Sequence, residues 1–306
     1  DLNYYLYLLD YNNMPDFLIK YLDVPSLIRL KKIGYFCGMD YASKDIYNFS
    51  TYISRYTHSL TTALLTYKIS SDRKATLAGL FHDVGTPCFS HVIDYMNKDY
   101  ANQESTEEYT ERIVLSDSYL KQCLLKDGVS ANEIIDFKKY SLVDNARPKL
   151  CADRLDGIML NSLGWTKIIS KQDIKDILNS IAIYINEEGK EEIGFTNYEV
   201  ASKVVELSDT IDRYCHSNED NYMMELLADI TREAINNNLI IYDDLYSLTE
   251  DDIWNVLNES NNQKLVNDIS IFKNIKLEDV PSTSLGNIKV RDLNPLVNGI
   301  RLKDML

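Results

Sequence analysis

Between residues 55 and 69 the apolar side chains Leu60, Leu64, Leu65 and Ile69 fall on one stripe, and that spacing predicts an amphipathic helix. A second helix is predicted over 72–82, with Leu77, Leu80 and Phe81 facing inward and Gly85 just past its end, where glycine commonly stops a helix. A third is predicted over 89–96. Upstream, Asp23-Val-Pro-Ser-Leu-Ile-Arg-Leu-Lys-Lys-Ile-Gly34 reads as a short helix with Pro25 near its first turn. Ser130-Ala-Asn-Glu133 has capping-box spacing ahead of Ile134 and Ile135, and Pro148 stands near the start of a helix carrying Leu150, Leu155, Ile158 and Met159. At 181–195 the period changes. Ile181, Ile183 and Ile185, then Glu187-Glu-Gly-Lys190, then Ile193 and Phe195 alternate as a β hairpin does. Thr196-Asn-Tyr-Glu199 is a second capping box that opens a helix toward Tyr214, and helices over 221–236 and 247–258 follow. In the tail, Pro281, Gly286, Pro295 and Gly299 punctuate short β-like runs such as Asn287-Ile-Lys-Val-Arg291. The pattern predicts a mostly α fold. Its parts are a helical unit over 1–270, with the hairpin near 181–195, and a C-terminal extension over 271–306 with short β segments.

Composition sharpens this reading. Only 11 Gly and 6 Pro occur in 306 residues, which favours long helices over many turns. The 47 acidic residues outnumber the 32 Lys and Arg, for a formal charge of −15. Such a surface repels phosphate backbones at long range, which argues against general nucleic-acid binding but leaves room for a small anion at a local basic cluster or a metal. The five cysteines, Cys37, Cys88, Cys123, Cys151 and Cys215, include no C-x-x-C pair and read as reduced, packed thiols. No apolar run approaches the roughly 18 residues of a membrane span, and the chain opens on no basic-then-apolar leader. The expectation is a cytoplasmic protein without membrane partners.

Three of the four histidines, His58, His82 and His91, fall close together in sequence. Imidazole and carboxylate together suit divalent manganese, iron, nickel or zinc and leave positions open for water or phosphate. His82 and Asp83 are neighbours, which in mid-helix would point about 100° apart, but at a helix end before Gly85 both can turn toward one ion.

The segments Arg55-Tyr-Thr-His-Ser-Leu60, Ala78-Gly-Leu-Phe-His-Asp-Val-Gly85, Phe89-Ser-His-Val-Ile-Asp94 and Ala152-Asp-Arg-Leu-Asp156 together resemble the HD superfamily of metal-dependent phosphohydrolases. The resemblance implies an HD-domain helical bundle and one divalent metal ion (Mn, Fe, Ni, Zn or Mg) held by His58, His82, Asp83 and Asp153. The Leu27-Ile-Arg-Leu30 helix, Phe-Ser-His after the doublet and Tyr214-Cys-His216 are similar to the deoxynucleoside triphosphate triphosphohydrolases of the SAM-and-HD-domain type. That likeness implies phosphate contacts from Arg55, His91 and Arg154, a sugar contact from Tyr214, catalytic roles for Asp83 and Asp94, and assembly into a homo-oligomer. The chain departs from the pattern where Thr86 and Gln103 stand in place of histidines and Gly157 in place of a tyrosine. Neither Thr nor Gln serves as a general acid near neutral pH. Two readings stay open: a phosphohydrolase acting on a nucleotide or related phosphate ester by metal-activated water, and a catalytically weakened nucleotide and metal sensor or regulatory protein. His216 reads as an ordinary structural histidine, and Met223-Met224 as core.

Overall fold

Ser54 accepts a hydrogen bond from the Thr57 N–H and opens the central helix α1 (Arg55–Ser70), which ends at a left-handed Ser71. Asp72 accepts from the N–H groups of Lys74 and Ala75 and starts α2 (Arg73–Phe81) immediately afterwards. These caps satisfy donors that a helix start leaves orphaned. The computed structural model describes residues 1–107, 109–285 and 287–305. In it α1 packs against both α2 and α3 (Ala152–Gly164), and the three share one contiguous apolar core with the later helices. α4 (Tyr198–Cys215) and the helix Asn218–Asn236 follow the hairpin, and α5 (Glu250–Asn258) and the helix Gln263–Asn274 complete the helical part. Among the described residues, no helix is long and apolar enough to cross a membrane.

The hairpin is present as β1 (Ile181–Ile185) and β2 (Glu191–Phe195), antiparallel with Ile183 opposite Ile193. The tail adds β3 (Leu296–Val297) and β4 (Ile300–Arg301), giving a sheet of order β1-β2-β3-β4 in which β3 runs parallel to β2. Gly194 permits that pairing, since a Cβ there would stand 2.5 Å from the carbonyl oxygen of Leu296. The run Asn287–Arg291, expected as β, forms no strand. Its backbone is instead tied to the helical part, with the Lys289 N–H donating to Tyr100 O at 2.9 Å and the Arg291 N–H to Asp212 Oδ1 at 2.9 Å.

Several element ends differ from expectation for local reasons. α3 starts at Ala152 rather than near Pro148, because the Ala152 and Asp153 N–H groups donate to the carbonyls of Leu142 and Val143, a backbone cap with no side-chain signature. The Ser130–Glu133 capping box forms as expected. The cap of α4 is Asn197, which accepts from Val200 N–H, because the Thr196 N–H is still engaged with Ser180 O. The helix predicted over 247–258 breaks at Leu248, and Thr249 caps α5 with Asp252.

The third predicted helix begins only at Val92, because Phe89 and Ser90 take left-handed conformations at φ 64° and 48°. Neither residue is one that favours this region. A buried carboxylate holds the turn: Glu250 Oε1, at the first position of α5, accepts from Phe89 N–H at 2.9 Å. Burial pushes the Glu250 carboxyl up to about 7; the Phe89 and Gly34 N–H groups oppose this, Asp40 adds to it, and Arg29 opposes it weakly. The folded state therefore binds a proton that the unfolded chain has released. This contribution to stability is fully present below the ordinary value of 4.5 and is lost as pH rises through about 7. Glu250→Gln keeps the acceptor and removes the titration. Denaturant unfolding should show the variant more stable than wild type at pH 8, by up to about 3 kcal/mol, with the difference vanishing near pH 4.5. An equal difference at both pH values would exclude this carboxyl as the cause.

Candidate metal centre

His58 lies in the first turn of α1, His82 is the residue that ends α2, and Asp83 follows in the turn before Gly85. Asp153 occupies the first turn of α3. The packing of α1 between α2 and α3 brings all four together. His58 Nε2 lies 2.9 Å from Asp153 Oδ1 and 3.8 Å from Asp83 Oδ2; His82 Nε2 lies 3.4 Å from Asp153 Oδ1 and 3.6 Å from Asp83 Oδ1. Ligand atoms about 2.1 Å from one ion and 90–110° apart are separated by roughly 3.0–3.4 Å; the edges to Asp153, at 2.9 and 3.4 Å, are close to that spacing, and those to Asp83, at 3.8 and 3.6 Å, are longer, so a shared cation would draw Asp83 inward. His82 Nε2 is buried without a hydrogen bond, while His82 Nδ1 is fixed on the Gly79 carbonyl at 2.7 Å. A buried imidazole nitrogen aimed at two carboxylates and without a hydrogen bond is the arrangement of a metal ligand.

The electrostatics agree. Burial works against charge on both rings, yet hydrogen bonds to Asp153 and Asp156 hold His58 up at about 8, and Asp83 with Asp153 holds His82 up at about 10. Burial also works against charge on Asp153, but His58 and His82 hold its carboxyl well below the usual carboxylate range. The carboxylates thus draw protons onto the imidazoles. Ligation requires neutral imidazole, so metal uptake by such a set releases protons.

The sequence reading missed Asp156, which is fully buried and accepts from three donors. These are His58 Nδ1 at 2.7 Å, Tyr5 Oη at 2.6 Å and Thr61 Oγ1 at 2.8 Å. It stands three residues after Asp153 on α3 and fixes the tautomer that leaves His58 Nε2 for the cation. Tyr35 was missed as well. Its ring lies 5.0 Å from that of His58 and 4.8 Å from the Arg55 guanidinium, and its hydroxyl fills the space beside Gly157, where a Cβ would stand 3.0 Å from it. Asp144 also joins the site, grouped with Cys151 and Asp153; burial, then Asp153, raises its carboxyl.

The expected substrate residues fare unequally. A cavity of about 570 Å³ opens over the four donors and is also lined by Arg55, His91 and Arg154. Arg55 is buried, donating to Asp83 Oδ2 at 2.9 Å and to Ser90 Oγ at 3.0 Å, so it braces the metal carboxylate as well as facing the cavity. Arg154 donates to the carbonyls of Asn145 and Lys149. His91 Nδ1–H donates to Asp94 Oδ2 at 2.8 Å, which leaves Nε2 for the cavity. Asp94, expected to be catalytic, does not line the cavity. It is fully buried behind His91, and its second oxygen accepts from the Ser105 N–H. Tyr214 is also outside the cavity, 42% exposed with its ring edge-on to Trp165 at 5.4 Å. Trp165, Tyr47, Phe49 and Phe36 form the aromatic wall instead, with Phe36 and Phe49 stacked at 4.2 Å. Gln103 lines the cavity, whereas Thr86 is buried away from it. His216 lies at the end of α4 with Nδ1 on the Asp212 carbonyl. Arg29, of the Leu27–Leu30 motif, has a structural task. Its guanidinium donates to the carbonyls of Thr86, Leu245 and Leu248 and clamps the loop after the doublet.

Residues 55–147 match the HD domain family. A Bacillus subtilis protein, "Uncharacterized protein YdhJ", is 27% identical over 218 residues, covering 70% of this chain and 64% of its own. The "Metal-dependent phosphohydrolase cns2" of Cordyceps militaris is 22% identical over 213 residues, covering 69% of this chain and 61% of its own. The chain therefore spans less than two thirds of the length of either relative.

Proposed function

We propose, from the match of residues 55–147 to the HD domain family, that the chain is a divalent-metal-dependent phosphohydrolase acting on a nucleotide or a related phosphate ester. The observation that carries the reading is the convergence of His58, His82, Asp83 and Asp153 on the floor of a cavity with an aromatic wall on one side and guanidinium groups on another. The similarity to a metal-dependent phosphohydrolase supports it. A divalent ion at such a set supplies a lowered pKa for water and polarisation of a phosphoryl oxygen. The chain's own residues do the rest. Arg55 holds Asp83 in place and offers positive charge to the phosphoryl oxygens, the aromatic wall takes a planar ring, and Asp156 sets the His58 tautomer. With Thr86 away from the cavity and Gln103 unable to carry a proton, His91 is the group for proton transfer to the leaving oxygen: Asp94 fixes its Nδ1, and Nε2 faces the substrate space.

His91→Gln should therefore lower kcat by roughly 100-fold to 10,000-fold with metal content unchanged. A variant within about threefold of wild type would remove His91 from the reaction. The reading itself is tested by elemental analysis of the purified protein together with an assay over nucleoside mono-, di- and triphosphates that distinguishes phosphate, pyrophosphate and triphosphate release. The expected result is one divalent ion per chain and release from at least one member. A metal-loaded protein that binds nucleotide and releases nothing would instead be a sensor or regulatory protein.

A further inference from the structure

Arg147, Lys289 and Arg291 line the same cavity as the metal donors, although two of them come from the tail. The tail crosses the helical part at this point. Lys289 Nζ donates to Asn102 O at 2.8 Å, Arg291 Nη2 to Gln103 Oε1 at 3.1 Å and Arg147 Nη1 to Asp292 O at 3.3 Å. Among the described residues, neither Arg147 nor Lys289 has a carboxylate within 4.0 Å, and the one beside Arg291, Asp212, is 3.9 Å away. In a chain with 47 acidic and 32 basic residues, three cations gathered with one distant carboxylate between them need another explanation. They also repel one another. Burial, then Arg154 and Arg291, brings Arg147 down to about 10, and burial, then Arg147 and Arg291, lowers Lys289. The acids facing Lys289 are Asp94, already committed to His91, and Glu104. Arg291 keeps its charge, as a guanidinium does, with Asp212 3.9 Å away.

We propose that Arg147, Lys289 and Arg291 form an anion subsite for a second phosphate group of the ligand, distinct from the phosphoryl group placed at His58, His82, Asp83 and Asp153. This rests on the phosphohydrolase reading for the first group only. Arg147 stands within electrostatic reach of Arg154 and Asp153, so the subsite adjoins the metal donors on the side of α3 where the tail crosses. The bonds these side chains now make go to backbone carbonyls and to one amide, which leaves further N–H donors for phosphate oxygens. The second phosphate has two chemical sources: the next link of a phosphate chain, or a separate phosphate elsewhere on the molecule.

The test is equilibrium binding of adenosine 5′-monophosphate, adenosine 5′-triphosphate and adenosine 3′,5′-bisphosphate to the metal-loaded protein. Wild type should bind one of the latter two at least about 10-fold more tightly than the monophosphate, as expected for one added charge-assisted contact. A preference for the triphosphate identifies a linked phosphate, and one for the bisphosphate a separate group. Arg147→Gln with Lys289→Gln should erase that preference and leave monophosphate binding and metal content unchanged. Lys289→Gln alone, which loses only a contact to a carbonyl, should erase part of it. No preference in wild type, or a preference that survives the double variant, overturns the proposal. Hydrolysis measured on the same samples keeps the two readings apart: a preference that depends on these cations in a protein without turnover upholds the subsite while the enzyme reading fails.

Discussion

Wild-type protein is expected to purify with a divalent ion, and His82→Ala and Asp153→Ala without it. Each contributes a donor atom to both short edges of the site, His82 Nε2 facing Asp153 at 3.4 Å and Asp83 at 3.6 Å, and Asp153 Oδ1 lying between the two imidazoles. Removing either leaves three donors spread around a gap. The loss should also appear in stability, because an ion that binds only the folded state stabilises it by mass action, about 2.7 kcal/mol at a free concentration 100 times its dissociation constant. The informative quantity is the difference in unfolding free energy with and without added metal, since each substitution also changes the apoprotein. In both variants that difference should collapse toward zero. Full metal occupancy in either would show that the ion is held elsewhere.

The second large effect belongs to Asp156. His58 Nδ1, Tyr5 Oη and Thr61 Oγ1 all converge on its carboxylate inside the core, so Asp156→Ala strands His58 and Tyr5, while Thr61 keeps the Thr57 carbonyl at 2.8 Å, and should cost about 3–5 kcal/mol in stability. Asp156→Asn retains shape and most hydrogen-bonding capacity. It is the cleaner probe of function, because the neutral amide no longer strengthens His58 as a ligand. Metal affinity should fall roughly 10-fold to 100-fold while the fold persists, as read by competition with a chelator of known affinity. Unchanged affinity in Asp156→Asn would make this carboxylate a packing element only.

The four candidate donors could be named from the sequence because the clustered histidines are scarce and the His82–Asp83 doublet stands at a helix end, while Asp153 came only from the family resemblance. His58 and the His82–Asp83 doublet sit at the start of α1 and the end of α2, positions that the caps at Ser54 and Asp72 fix. Asp156 carried a signal that was passed over: its three-residue spacing from Asp153 places both carboxylates on one face of α3. Other features left no local trace. The left-handed Phe89–Ser90 turn is imposed by Glu250, more than a hundred residues further along the chain. The approach of Lys289 and Arg291 depends on tail contacts to Tyr100 and Asp212 and on strands of two residues each, too short to show a period. Tyr214 was expected at the substrate by its place in a motif. Trp165 takes the cavity-facing position, and Tyr214 packs behind it at the surface.

The most direct measurement is phosphate-ester hydrolysis by protein stripped with a chelator and then titrated with manganese, iron, nickel, zinc or magnesium, with bound metal counted at each point. Activity on at least one substrate should rise in proportion to occupancy and reach its plateau at one ion per chain, and the same titration should leave Asp153→Ala silent. Hydrolysis that persists in fully stripped protein, or none from protein carrying one ion per chain, would contradict a metal-dependent phosphohydrolase.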